Sequence, residues 1–137
     1  MNYTGKAQLS LIIVAPAELE AEGDRIFKNY AEWMVRTHFR EGEKALLQYN
    51  VAKRSDDEGN ILFTLTEVYE TVAGIESYHE LDAKWESVGD WLKWLEQCQV
   101  TAVEGAPIIH SLWQRGARKG LARKSEHREK LKMSHLL

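Results

Sequence analysis

Residues 61–71 read ILFTLTEVYET. The β-branched and aromatic content of Ile61–Tyr69 is that of a strand. Side chains alternate between the two faces of a strand, which divides this one into Ile61, Phe63, Leu65, Glu67 and Tyr69 on one face and Leu62, Thr64, Thr66 and Val68 on the other. Neither set is strongly polar, so both faces are expected to meet protein. Thr71 stands where its hydroxyl caps a following helix. On the other side, the turn cluster SDDEGN at 55–60, with Gly59 suited to positive φ, joins this strand to an earlier one over Ala45–Lys53 (ALLQYNVAK). The two form a hairpin.

Further outward, QLSLIIVA at Gln8–Ala15 reads as a first strand, ended by Pro16. From Asp24 to about Phe39, apolar positions at 26, 27, 30, 33 and 34, with Thr37, trace a helical stripe, and Gly42 is a plausible stop. A second helix follows Thr71, with Ile75, Tyr78, Leu81, Trp85 and Val88 stepping by three and four. Ser87–Asp90 interrupts it, and Asp90 caps a continuation carrying Trp91, Leu92 and Leu95. Of Trp91 and Trp94, at least one is expected to be partly exposed or at the dimer edge. Gln99–Glu104 is a fourth strand, Gly105-Ala106-Pro107 a break, and Ile108–Trp113 a short edge strand. The order β-α-β-β-α-β predicts an α+β, ferredoxin-like fold, an antiparallel four-stranded sheet with two helices on one face. The other face carries Leu62, Val68 and two threonines on the third strand and apolar residues on the first. An uncovered patch of that kind predicts a homodimer with two sheets pressed face to face.

The chain has 137 residues, 44% apolar and 28% charged, the size and composition of one globular domain. Its longest apolar run, Leu11–Ala15, is five residues, which excludes a membrane span by hydropathy, and no signal peptide is apparent. A single cysteine, Cys98, excludes an internal disulfide and points to a cytoplasmic protein. The net charge of −3 is unevenly distributed. Met1–Trp113 holds 10 Lys and Arg against 19 Asp and Glu, whereas residues 114–137 hold 8 against 2. An acidic body argues against nucleic acid as a partner. The basic tail at 114–137 is read as a solvated, partly disordered extension, as a segment docking on an acidic surface of its own dimer, or as a contact for nucleic acid or an anionic membrane. The domain division is therefore 1–113 and 114–137.

Ala31-Glu32-Trp33, the strand Leu47-Gln48-Tyr49-Asn50-Val51 and above all Leu65-Thr66-Glu67-Val68-Tyr69-Glu70 give the chain its likeness to known proteins. Over residues 8–104 it resembles the dimeric α/β-barrel proteins, in particular the family of antibiotic-biosynthesis monooxygenases. The resemblance implies a dimeric α/β barrel. It also implies an apolar pocket between sheet and helices and, as activity, a cofactor-independent monooxygenase or isomerase acting on a small hydrophobic or aromatic compound. The alternative it leaves open is a non-catalytic, small-ligand-binding or accessory dimer. The catalytic sets of the best-known relatives are not carried over. Leu65, Tyr69 and Ile75 stand where aromatic-polyketide oxygenases use other residues, and Tyr78 and Val88 where haem-degrading relatives do.

Glu67 is the sharpest catalytic candidate, because it shares a strand face with Phe63, Leu65 and Tyr69. A carboxyl desolvated there has a raised pKa and suits general acid or base work; the competing expectation is a strand-end carboxylate in solvent. Tyr69 and His38 complete the catalytic candidates. For His38, a pocket-rim base or metal ligand competes with a cation favoured by a helix C-terminus. Trp33, Tyr30, Tyr49, Asn50, Phe63, Tyr78, His79 and Trp85 are the candidate ligand-binding residues, with core packing the competing expectation for the aromatics. No cofactor and no metal are implied, since close-spaced ligand pairs such as H-x-H are missing. His110 sits in the last apolar segment, and His127 and His135 lie in the tail. Phosphate loops, nucleophile elbows and nucleotide fingerprints are also missing.

Overall fold

The structure is a computed structural model and describes residues 2–112. The basic tail at 114–137, with His127 and His135, and Trp113 lie outside the described residues. Gly5–Ile108 forms one compact unit and carries all the helices and strands described. Asn2–Thr4 and Ile109–Leu112 belong to a second unit, in which the Tyr3 backbone N–H donates to the Ser111 hydroxyl at 2.9 Å.

Chain order is β1 (Ala7–Ala15), a single 3-10 turn (Ala17–Leu19), α1 (Glu20–Thr37), β2 (Leu46–Ser55), β3 (Ile61–Tyr69), α2 (Val72–Asp82), α3 (Val88–Glu96) and β4 (Gln99–Pro107). The four strands form one sheet in the order β2-β3-β1-β4, and each neighbouring pair is antiparallel. The architecture is α+β and compatible with the ferredoxin-like pattern, with three helices where two were expected.

Alternation sets the layers. Ala7, Leu9, Leu11, Ile13 and Ala15 of β1 are buried, as are Ile61, Phe63, Leu65, Glu67 and Tyr69 of β3, and the register pairs the two sets. On α1, Ile26, Phe27, Tyr30, Trp33 and Met34 form the buried stripe. Gly23 belongs to the same stripe because no side chain fits there: a Cβ would stand 2.5 Å from Cζ2 of Trp94. Thr71 caps α2 as expected, its hydroxyl oxygen accepting from the Ala73 N–H at 3.1 Å.

Three local expectations are corrected. The helical interruption falls at 83–87, before Val88, and Ser87 rather than Asp90 is the N-cap of α3. Both Trp91 and Trp94 are buried, because α3 turns this pair inward against Phe27. Gly105-Ala106-Pro107 continues β4 instead of breaking it. Gly105 takes φ 79° close to a register shift at Gln8/Leu9, so the strand absorbs the irregularity as a bulge. Ile108–Leu112 accordingly forms no strand.

On the face away from the helices, β2 carries exposed Gln48, Asn50, Ala52 and Arg54. No helix among the described residues is long and apolar enough to cross a membrane.

Candidate functional site

Period-two alternation aims Glu67 at the helices, and the packing there removes it from water. Its side chain is fully buried. Tyr69, two residues on and on the same face, donates its hydroxyl to Oε1 at 2.5 Å. Tyr30, from the buried stripe of α1, donates to Oε2 at 3.0 Å. Burial pushes the Glu67 carboxyl up to about 7. The Tyr69 and Tyr30 hydrogen bonds pull in the other direction, and the charges of Asp82 and Glu104 add to the rise. Desolvation and the neighbouring Glu67 raise the phenols of Tyr30, Tyr49 and Tyr69 well above their usual value, so they stay protonated at neutral pH. Tyr78 behaves in the same way.

The expected aromatic chamber is filled by its own side chains. The rings of Trp33 and Trp85 stack at 5.4 Å, and Tyr30 meets Trp85 edge-on at 5.3 Å and Tyr78 at 6.3 Å. Phe63 stacks on Phe27 at 5.4 Å and meets Trp94 edge-on at 5.3 Å. The Trp85 indole N–H donates to Asn29 Oδ1 at 2.9 Å, and the Trp94 N–H to the Leu19 carbonyl at 3.0 Å. Tyr30, Trp33, Phe63, Tyr78 and Trp85 are therefore core, in contact with one another rather than lining empty space. Core packing, the competing expectation for these aromatics, describes their arrangement. The cause is the number of aromatic rings that α1, α2 and α3 project into one layer.

A cleft of about 280 Å³ lies instead where α1 ends and β2 begins. Met34, Val35 and His38 line it from the α1 side, Leu46, Leu47, Gln48 and Tyr49 from the β2 side, with Ala31 and Arg40 completing it. Four consecutive strand residues reach one cleft because the β2–β3 register skips Leu47, a bulge that re-aims the neighbouring side chains. Its volume is just below the 300–1,000 Å³ or so of typical small-molecule pockets.

Two polar atoms of the cleft residues are buried without any hydrogen-bond partner: His38 Nε2 and the Tyr49 hydroxyl. An unsatisfied buried polar group costs about 1–3 kcal/mol. Tyr49 is also the cross-strand partner of Glu67, and its ring stacks on Tyr30 at 5.9 Å, so the cleft adjoins the carboxyl cluster. The imidazole of His38 lies 5.2 Å from the Trp33 ring and 5.9 Å from that of Tyr78, and burial lowers its pKa to about 4. His38 is thus neutral at pH 7 and is no helix-end cation.

The remaining candidates fall elsewhere. Asn50 pairs with Thr66 on the opposite face of the sheet from Glu67, is exposed and does not line the cleft. Consecutive strand residues outside a bulge point to opposite faces. His79 is exposed, with its Nε2 2.9 Å from Oε2 of Glu104. Residues that sequence reasoning passed over include the cleft-lining Ala31, Met34, Leu46 and Leu47. They also include Asp82, whose Oδ1 is a third unpartnered buried atom and whose pKa is raised by desolvation. The placing of Asp82 one helical turn after Tyr78 was the available signal.

No group of three or more His, Cys, Asp and Glu side chains among the described residues is placed to hold a metal ion. A larger cleft, of about 520 Å³, opens at the far end of the sheet around Asp56, Asp57 and Glu58. It contains none of the orphaned atoms, and Asp56 Oδ1 is already engaged by the Glu58 and Asn60 N–H groups. Compared with known proteins, the chain matches no family model, no curated protein and no solved structure.

Proposed function

We propose that the protein binds a small hydrophobic molecule in the cleft between the C-terminal end of α1 and the bulged start of β2. The observation that carries this reading is the coincidence of an apolar lining with two unpartnered polar atoms, His38 Nε2 and the Tyr49 hydroxyl. Few and fixed polar groups in an apolar wall are the usual make-up of a small-ligand site. Benzyl alcohol and its methyl ether are suitable probes. Either one, titrated into the protein, is expected to shift the backbone amide signals of Val35, Leu47 and Tyr49, and Ala31→Phe, which fills the cleft, is expected to remove the shifts. Shifts spread evenly over the surface, unaffected by Ala31→Phe, contradict the reading.

A second reading is cofactor-independent proton transfer, the step shared by the monooxygenase and isomerase activities that the family resemblance implies. It is favoured by the near-neutral Glu67 carboxyl across the ladder from cleft-lining Tyr49. Once the Tyr49 side chain turns aside to admit the substrate from the cleft, Glu67 as base removes a proton from the carbon beside a carbonyl and returns one to it. Phenylacetone in deuterium oxide tests this: exchange of its methylene protons above the buffer rate, abolished in Glu67→Gln, supports chemistry. Exchange at the buffer rate leaves the binding reading alone.

The homodimer, and with it the barrel, belongs to the same proposal, with a second copy of the chain on the open sheet face. On β1, β3 and β4 that face presents Ile12, Val14, Leu62, Thr64, Thr66, Thr101 and Val103 and carries no charged residue. Ile12 and Val103 are 46% and 54% exposed on adjacent strands. Absence of charge at the centre is what a protein–protein interface requires. Sedimentation at micromolar concentration is expected to show a dimer that Ile12→Lys dissociates; a monomer in both cases rejects it.

A further inference from the structure

The hydrogen bonds around His38 define which of its ring nitrogens is bare. The Thr37 hydroxyl donates its only proton to the Trp33 carbonyl, one helical turn back, at 2.8 Å. The same oxygen lies 3.1 Å from His38 Nδ1. With its proton committed, the Thr37 oxygen acts towards His38 only as an acceptor, so Nδ1 carries the N–H. In a neutral imidazole the second nitrogen is then a lone-pair acceptor, and that nitrogen is the unpartnered, buried Nε2. The burial that depresses protonation of the ring keeps it in this neutral form.

We infer that the α1–β2 cleft selects a small apolar molecule bearing one neutral hydroxyl, which donates to His38 Nε2 and accepts from the Tyr49 hydroxyl. The inference rests on the ligand-binding reading above and specifies its chemistry. A single hydroxyl has one proton and two lone pairs, which is what these two groups together lack. An ether offers no proton to Nε2. A carboxylate offers none either, and its charge would enter beside the buried Glu67 carboxyl. Arg40 is exposed where it borders the cleft and is the group that would favour an anion instead. Because both orphaned atoms are closed off from solvent, entry of the ligand turns lining side chains aside. Met34, unbranched and adaptable, is the one best suited to move.

The test compares benzyl alcohol, benzyl methyl ether and benzoate on the intact protein and on His38→Phe and Thr37→Val. The alcohol is expected to bind about five- to tenfold more tightly than the ether, the effect of one net hydrogen bond, and benzoate more weakly than both. His38→Phe should erase the alcohol's advantage while the ether still binds. Thr37→Val, which releases Nδ1 and hence the tautomer, should reduce it. Nitrogen NMR of the His38 ring is expected to show a protonated Nδ1 and a bare Nε2 in the free protein, and the opposite tautomer overturns the inference even if a variant fails to fold. Equal binding of alcohol and ether overturns it as well and leaves a buried water as the partner of both atoms, with the cleft still a ligand site. Tighter binding of benzoate transfers recognition to Arg40 and overturns it too. Failure of all three probes to bind rejects the cleft reading itself.

Discussion

The Tyr69 phenol stands 2.5 Å from Oε1 of Glu67, a donor and an acceptor two residues apart on one face of β3. Tyr69 is held there by α2, since the Tyr69 ring lies directly beneath the backbone of Gly74. The pair places a carboxyl in a buried, largely aromatic layer and gives it a charge-assisted partner, so burial and hydrogen bonding pull its titration in opposite directions.

Tyr69→Phe removes the stronger of the two donors. The Glu67 carboxyl is expected to titrate above about 7 in this variant, because a bond that favours the charged form is lost. Stability at neutral pH should fall by about 1–3 kcal/mol. Tyr30→Phe should act in the same direction and less strongly, its bond being 3.0 Å long. Carbon NMR of the Glu67 carboxyl and urea unfolding of each variant provide the measurements.

Glu67 also imposes a pH dependence whose sign follows from its raised pKa. Below about pH 4.5 the carboxyl is protonated in both folded and unfolded chains and contributes no difference. Between about 4.5 and about 7 the unfolded chain has released its proton and the folded one has not, so stability falls as pH rises, and it levels off above about 7. The span corresponds to about 3 kcal/mol. Glu67→Gln should therefore become more stable relative to the parent by that order across the window. The depressed His38 works oppositely, losing stability as pH falls below 6.5, and cancels in the comparison because both proteins carry it. Denaturant midpoints of the two proteins across the window decide it; parallel curves contradict a buried, titrating Glu67.

Gly74→Ala and Gly89→Ala form a matched pair on α2 and α3. A Cβ at Gly74 meets Tyr69 Cδ1 at 2.5 Å and the Lys44 carbonyl oxygen at 3.0 Å, so overpacking is expected to cost about 1–3 kcal/mol despite the better helix propensity of alanine. At Gly89 nothing lies within 4 Å, and the same change should stabilise by up to about 1 kcal/mol. Thermal unfolding of both variants gives the contrast, and a Gly74→Ala protein as stable as the parent argues against the close seating of α2 on Tyr69.

Trp85→Ala distinguishes a packed interior from a ligand chamber. Trp85 touches Trp33 and Tyr30 and satisfies Asn29 through its indole N–H, so its loss should cost about 3–5 kcal/mol. A chamber wall would tolerate the truncation with a change below about 1 kcal/mol. Urea unfolding measures which applies.

Much of the fold was legible in local pattern. The nine residues of β3, the cap at Thr71, the stripe on α1 and the inward aim of Glu67 all follow from periodicities of two and of about 3.6 that neighbouring residues impose on one another. Whatever depended on contacts between distant segments was not. The extra residue that lets β2 line a cleft, Leu47, shows only in the pairing of β2 with β3. Gly105-Ala106-Pro107 has the composition of a break, yet pairing with β1 carries the strand through it. Aromatic spacing likewise says which rings face inward but not whether they leave a space between them. That depends on how three helices converge over one sheet, and here they close the interior and leave the cleft at the edge, beside His38 and Tyr49. The residue types able to do chemistry are thus written along the chain, whereas their burial, their titration and the room beside them arise from packing between segments far apart in it.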